Sequence, residues 1–196
     1  MQTQRTTPQR AGAPLAVTYG VRLPNSGPFA TAAAIEATAR QAERCGFGTV
    51  WVHDHIPWAR GMVTHFSTGS IEACDGQDPN FFETVSSVAF VAGLCPGIDV
   101  GIAGLVLPLR DPRVLAKQLM TTQVLTGGRL VTALAIGNVP NDFEVMQVPF
   151  ERRGRITDEF LDALRVIYDD DRSTYEGLDL RFADAEFFPK PAEPRF

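Results

Sequence analysis

A chain of 196 residues, 44% hydrophobic and 21% charged, has the balance of one globular domain with a substantial core. A net charge of −5 and a pI of about 5.2 supply no basic field for nucleic acid or an anionic membrane. No apolar run reaches the roughly 18 residues of a membrane helix, and the N-terminus carries no signal-peptide pattern. The three cysteines, Cys45, Cys74 and Cys95, are too scattered for a disulfide framework, so a reducing, cytoplasmic setting is the simplest fit. Cys45 and Cys95 are expected as small buried hydrophobes, and Cys74, in a polar stretch, as an exposed residue.

Residues 1–14 are polar, contain Pro8 and Pro14, and read as a disordered tail before one domain over 15–196. Strand and helix patterns then alternate. Val17 to Leu23 is the first expected strand, closed by Pro24-Asn25-Ser26-Gly27-Pro28. Thr31 is placed to cap a helix whose apolar face carries Ile35, Ala39 and Ala42 and which stops at Gly46. A second strand spans Thr49 to Val52, with Val50, Trp51 and Val52 expected inside the sheet. Residues 57–80 lack clean periodicity and form a long excursion, of the kind that carries function.

A second helix is expected over Phe82–Leu94, and a strand over Ile98–Leu107 whose continuous apolar character fits burial on both faces. Pro112 is positioned to start a third helix, and Leu130–Ile136 is the fourth strand. After a second excursion over 137–151, Ile156, Phe160, Leu164 and Ile167 mark a long amphipathic helix. A small hairpin and a proline-rich exit complete the chain.

The pattern is α/β: four βα units with short αβ turns and long βα loops, the first half of a (β/α)8 barrel. No G-x-G-x-x-G follows the first strand, which argues against a dinucleotide-binding domain. A complete barrel takes roughly 200–250 residues or more. The expected chain is therefore a fragment, a natural truncation, or a half-barrel completed by pairing with another copy.

One segment concentrates chemistry. His53-Asp54-His55 follows the second strand at its carboxyl end, where parallel α/β proteins bind ligands, and Pro57 turns the chain away from the ladder. Read as H-x-H, the segment suggests a metal-dependent hydrolase. No histidine follows His65 to complete a zinc set, so no metal is expected. Imidazole titrates near neutrality and passes protons, which makes His55 a candidate acid–base group.

An ordered series of motifs carries a resemblance. The series runs through Gly20-Val21-Arg22-Leu23-Pro24-Asn25, Ala42-Glu43-Arg44-Cys45-Gly46-Phe47, and Val50-Trp51-Val52-His53-Asp54-His55. It continues with Gly101-Ile102-Ala103-Gly104-Leu105-Val106-Leu107-Pro108-Leu109-Arg110-Asp111-Pro112, Gly127-Gly128-Arg129-Leu130, Phe150-Glu151-Arg152-Arg153-Gly154-Arg155 and Phe188-Pro189-Lys190-Pro191. Together these resemble the luciferase-like flavin- or F420-dependent oxidoreductases, a TIM-barrel family, over its N-terminal half.

The resemblance implies FMN or coenzyme F420 as cofactor, a small-molecule substrate, and a possible homo-oligomer. It implies His55 and Asp54 as catalytic residues, Asp54 fixing the imidazole tautomer or capping the following loop. It implies a backbone bulge with a non-prolyl cis peptide within Gly101–Leu105 behind the cofactor ring, its register left open because Ala103 replaces the usual glycine, with Ala103, Gly104, Asn25, Arg110 and Asn138 as cofactor contacts. Arginines among Arg152, Arg153 and Arg155 are matched to a phosphate contact in some relatives, whereas Lys117 and Arg129 are structural by position. Asn138 stands near the point where some F420-dependent members carry an acid, and an amide cannot donate that proton. The alternative is a non-catalytic or partner-binding paralogue that lacks the second half of the cofactor site.

Overall fold

The computed structural model describes residues 17–58 and 78–192, with the backbone alone of 63–65 and 71–73. The tail expected over 1–14, and Cys74, lie outside the described residues. Four parallel strands form the central sheet: β1 (Gly20–Arg22), β2 (Thr49–Val52), β5 (Asp99–Val106) and β6 (Leu130–Ala135), in the order β1-β2-β5-β6. Each step between neighbours crosses over through a helix: α1 (Ala32–Arg44), α2 (Thr84–Leu94) and α3 (Pro112–Leu125). A parallel sheet alternating with helices is the arrangement of successive units of a barrel-like fold.

Local chemistry sets the boundaries. The Thr31 hydroxyl accepts from Ala34 N at 3.1 Å and opens α1, and Gly46 ends it at φ +77°. The helix expected from Phe82 begins at Thr84 instead, because the Glu83 carboxylate accepts from the N–H groups of Val85 and Ser86. Pro112 occupies the first turn of α3, with Asp111 capping it. The first strand is shorter than expected, and Val17 and Tyr19 are exposed.

Val50, Val52, Val100 and Ile102 point from β2 and β5 into the core, where they meet Ile35, Ala39, Val88, Val91, Leu115 and Leu119 of the helices. Each such side chain contributes about 1.5–3 kcal/mol through burial. Trp51 takes the opposite face and is half-buried, contrary to its expected place in the core, because side chains alternate along a strand. A Cβ on Gly20 or on Gly101 would fall 2.2 or 2.3 Å from its indole, so these two glycines let the ring lie against the flanking strands.

Both excursions contain structure that periodicity did not reveal. Within the first, β3 (Val63–His65) pairs antiparallel with β4 (Ile71–Ala73). The second holds α4 (Pro140–Val145) and a 3-10 turn over Phe150–Arg152. Helix α5 (Arg153–Asp169) buries Ile156, Phe160, Ala163, Leu164 and Ile167, and β7 (Ser173–Glu176) with β8 (Arg181–Ala185) forms the hairpin. Lys190 donates to the carbonyls of Ile167 and Asp170, docking the C-terminal segment on α5. Cys95 is buried as expected, but Cys45 is exposed at the end of α1, where its sulfur accepts from the Gln41 amide. Among the described residues no helix is long and apolar enough to cross a membrane.

Candidate active site

At the carboxyl ends of the strands a cleft of about 350 Å³ is lined by His53, Asp54, Gly104, Val106, Ala135, Ile136, Gly137 and Asn138. A larger cavity of about 530 Å³ lies against Gln123, Gly127, Gly128 and Lys190, at the amino end of β6. Parallel sheets present ligands at the carboxyl ends, so the smaller cleft is the better candidate.

Its floor is made of backbone and small side chains. The Ala103–Gly104 peptide is cis, and the ladder between β5 and β6 shifts register between Ala103 and Leu105, which fixes the position of the bulge within the Gly101–Leu105 segment that the motif series implied. A Cβ on Gly104 would meet that of Ala135 at 3.1 Å, so any longer side chain would occupy the gap between the strands. Gly137 turns the chain out of β6 at φ +81°, and a Cβ there would fall 2.7 Å from the Phe143 ring. Only glycine meets both conditions. Arg153 secures this turn by donating to the Gly137 carbonyl while lying over the Phe150 ring. Asn138 is exposed and lines the cleft.

The His53-Asp54-His55 segment divides into three different environments. Asn25 is fully buried, and its amide donates to the His53 carbonyl at 2.8 Å, as does the Thr84 hydroxyl at 2.9 Å. Its side chain therefore braces the strand end from inside instead of facing the cleft. The His53 ring accepts at Nδ1 from Arg22 Nε at 3.0 Å, which puts its proton on Nε2, 2.9 Å from the Ser26 hydroxyl. With that tautomer, Arg22 Nη2, at 2.8 Å from Nε2, is a contact and not a hydrogen bond. Burial, the Arg22 charge and His55 together push His53 down to about 4. It is a neutral ring at physiological pH.

The Asp54 side chain is completely buried and accepts three hydrogen bonds: from Val106 N at 2.8 Å and from both Arg110 Nη atoms at 2.6 Å. This bidentate pair ties the exit of β2 to the exit of β5. Arg110, expected as a ligand contact, spends its guanidinium on Asp54 and comes within 3.7 Å of Glu83. Asp54, expected to fix the His55 tautomer or to cap the following loop, is committed to Arg110 and the Val106 N–H.

The carboxylate beside His55 belongs to Asp142, which no motif had singled out. Nδ1 of His55 lies 3.0 Å from Asp142 Oδ2, and both side chains are nearly buried. The ring N–H does not point along that line, so the contact is a close charge–dipole approach without an aligned hydrogen bond. His55 Nδ1 and Asp142 Oδ1 both lack a hydrogen-bond partner. Trp58 and Phe81 flank the His55 ring at 5.4 and 5.5 Å between centroids. The one sequence signal for Asp142 was Pro140, which opens a helix and puts Asp142 in its first turn.

The other basic residues that the sequence singled out have structural partners or face solvent. Arg129 donates to the carbonyls of Ala92, Cys95, Ile98 and Thr126 and so pins the end of α2. Arg152 pairs with Asp179, and Lys117 and Arg155 are exposed. Among the described residues no lysine or arginine lines the cleft.

Comparison with known proteins bears on the family and the fold. The chain is 30% identical over 161 residues to an uncharacterised protein of Mycobacterium tuberculosis, covering 81% of this chain and 56% of the relative. It is 27% identical over 161 residues to an F420-dependent glucose-6-phosphate dehydrogenase of Kineococcus radiotolerans, covering 80% and 43%. This chain thus spans about half the length of the curated relatives it matches. Two solved structures share the fold. The monooxygenase RslO1 from Streptomyces bottropensis superposes with a TM-score of 0.71 at 18% identity, over 90% of this chain and 50% of that one. The oxygenating constituent of 3,6-diketocamphane monooxygenase of Pseudomonas putida, in complex with FMN, gives 0.69 at 16%, over 88% and 45%. The sequence pattern of luciferase-like monooxygenases matches residues 8–195. The chain belongs to the luciferase-like monooxygenase family.

Proposed function

We propose that the cleft between β5 and β6 receives the ring of FMN or F420, and that the chain forms the N-terminal half of a (β/α)8 oxidoreductase site acting on a small organic substrate. One observation carries this reading: a bulge of small residues, Ala103 and Gly104, opens a gap beside Asn138 at the strand ends that carry His55. The lining suits a flat ring approaching the backbone closely. Family relatives point the same way, one being F420-dependent and one being seen with FMN. When bound, such a ring supplies the redox chemistry, as a hydride carrier or as a reduced flavin reacting with oxygen.

The residues of this chain supply the surroundings. Ala103, Gly104 and Asn138 offer backbone and amide contacts to the ring edge. His55 holds or moves a proton at an imidazole nitrogen, while Trp58 and Phe81 keep water from it. Asp54 and Arg110 fix the strand ends against each other. Among the described residues the cleft lining carries no cation to meet a cofactor phosphate.

Spectral titration of the whole chain with FMN and with F420 tests the proposal. Saturable binding of either, weakened in His55→Gln or Asn138→Ala, supports it. A second reading, a non-catalytic partner-binding protein, draws on β1 and β6 being outer strands of the sheet. A well-folded chain that binds neither cofactor and associates with another copy would favour that reading.

A further inference from the structure

Asp142 is a nearly buried carboxylate in the first turn of a short helix. Helix α4 has no side-chain cap, and Asp142 Oδ1 accepts from nothing. Burying such a group without a partner is costly, so its placement calls for a donor. Among the described residues its charge partner is His55, whose Nδ1 lies 3.0 Å from Oδ2 and itself has no aligned hydrogen bond. The orphaned Nδ1 faces Oδ2 of a carboxylate whose other oxygen, Oδ1, is orphaned, and a ring that carries its proton on Nδ1 and turns slightly toward the carboxylate gains an acceptor there.

We infer that Asp142 is a positioning residue that holds the His55 proton on Nδ1, leaving Nε2 with the lone pair that takes up a proton. The inference rests on the reading of His55 as the proton-handling group of the proposed site. It assigns to α4 the role that adjacency in sequence suggested for Asp54, whose carboxylate Arg110 occupies. The contrast with His53 is direct. There a donor, Arg22, faces Nδ1 and sends the proton to Nε2, whereas an acceptor facing Nδ1 of His55 selects the other tautomer.

Ring-nitrogen NMR of the whole chain tests this without cofactor. The chain has three histidines, so His55→Gln identifies the His55 signals by their loss, and His53 serves as an internal reference for the fold. At mildly alkaline pH, where an ordinary imidazole of pKa about 6.5 is neutral, His55 should show a protonated Nδ1 and a lone-pair Nε2. Asp142→Leu should move the proton to Nε2, and Asp142→Glu should restore Nδ1–H, with His53 signals unmoved in both. A native His55 protonated on Nε2, or a tautomer unchanged in Asp142→Leu with His53 intact, would overturn the assignment. Should Asp142→Leu fail to fold, the native tautomer and Asp142→Asn decide the question. Titration of the same samples with FMN and F420 separates the two readings. Nδ1–H without cofactor binding supports the pair and sinks the oxidoreductase reading, whereas cofactor binding with Nε2–H does the reverse.

Discussion

Arg110→Met isolates the energetics of the pair that joins β2 to β5. The Asp54 carboxylate is completely buried and accepts three hydrogen bonds, two of them from Arg110 at 2.6 Å. Methionine keeps much of the arginine stem but removes both charged donors, leaving a buried anion with the Val106 N–H alone. Breaking a buried ion pair from one side costs about 3–5 kcal/mol. Removing both charges in an Asp54→Leu, Arg110→Met double variant leaves one orphaned N–H, worth about 1–3 kcal/mol. The double variant should therefore be more stable than Arg110→Met alone. Urea unfolding at neutral pH, followed by far-UV circular dichroism, measures both through their midpoints at an unchanged slope. An Arg110→Met protein within about 1 kcal/mol of the wild type, or a double variant as unstable as the sum of the singles, would refute the reasoning.

Three further outcomes follow from named contacts. His53, lowered from 6.5 to about 4, makes the unfolded chain bind the proton first, so its contribution is full above about pH 6.5 and is lost as pH falls toward 4. The ceiling is about 3.4 kcal/mol, and screening of a half-buried ring leaves about 1–2 kcal/mol, seen as a urea midpoint that falls over this window less steeply in His53→Gln than in the wild type. Gly137→Ala puts a Cβ 2.7 Å from Phe143 at a positive φ and should cost about 2 kcal/mol or more in thermal unfolding; a wild-type Tm would contradict the turn geometry. Arg129→Met removes four backbone contacts, three of them to residues 92–98 around the end of α2 and one to Thr126 at the end of α3, and should lower stability by about 2–4 kcal/mol, with faster amide exchange at residues 92–98 than elsewhere.

Much of the fold was legible because its signals are local. Thr31 and Gly46 bracket α1, Pro112 opens α3, and the apolar run over 98–107 is the central strand β5. A bulge somewhere within Gly101–Leu105 was legible through the motif series alone, since nothing in residue-by-residue propensity marks it, and its position at Ala103–Gly104 came from the structure. The interior of the site was not legible for a different reason. Asp54 meets Arg110 across 56 positions and His53 meets Arg22 across 31, and pairings at such separations leave no periodic trace. Asp142 was hidden further by α4, too short at six residues to show an amphipathic repeat. Adjacency in sequence pointed to Asp54 as the partner of His55. Successive strand-end residues face different ways, and the space beside His55 is filled from another element.

The central claim is that the gap beside Gly104 takes a flavin or deazaflavin ring. Gly104→Val tests it most directly, because a branched side chain starting 3.1 Å from Ala135 fills that gap from the floor. Fluorescence titration of the whole chain with FMN and with F420 should show saturable binding of one of them. That binding should be lost in Gly104→Val and retained in Lys117→Ala, an exposed change on α3, with both variants folded by circular dichroism. Equal binding by the wild type and Gly104→Val, or no saturable binding of either cofactor by the wild type, would contradict the account.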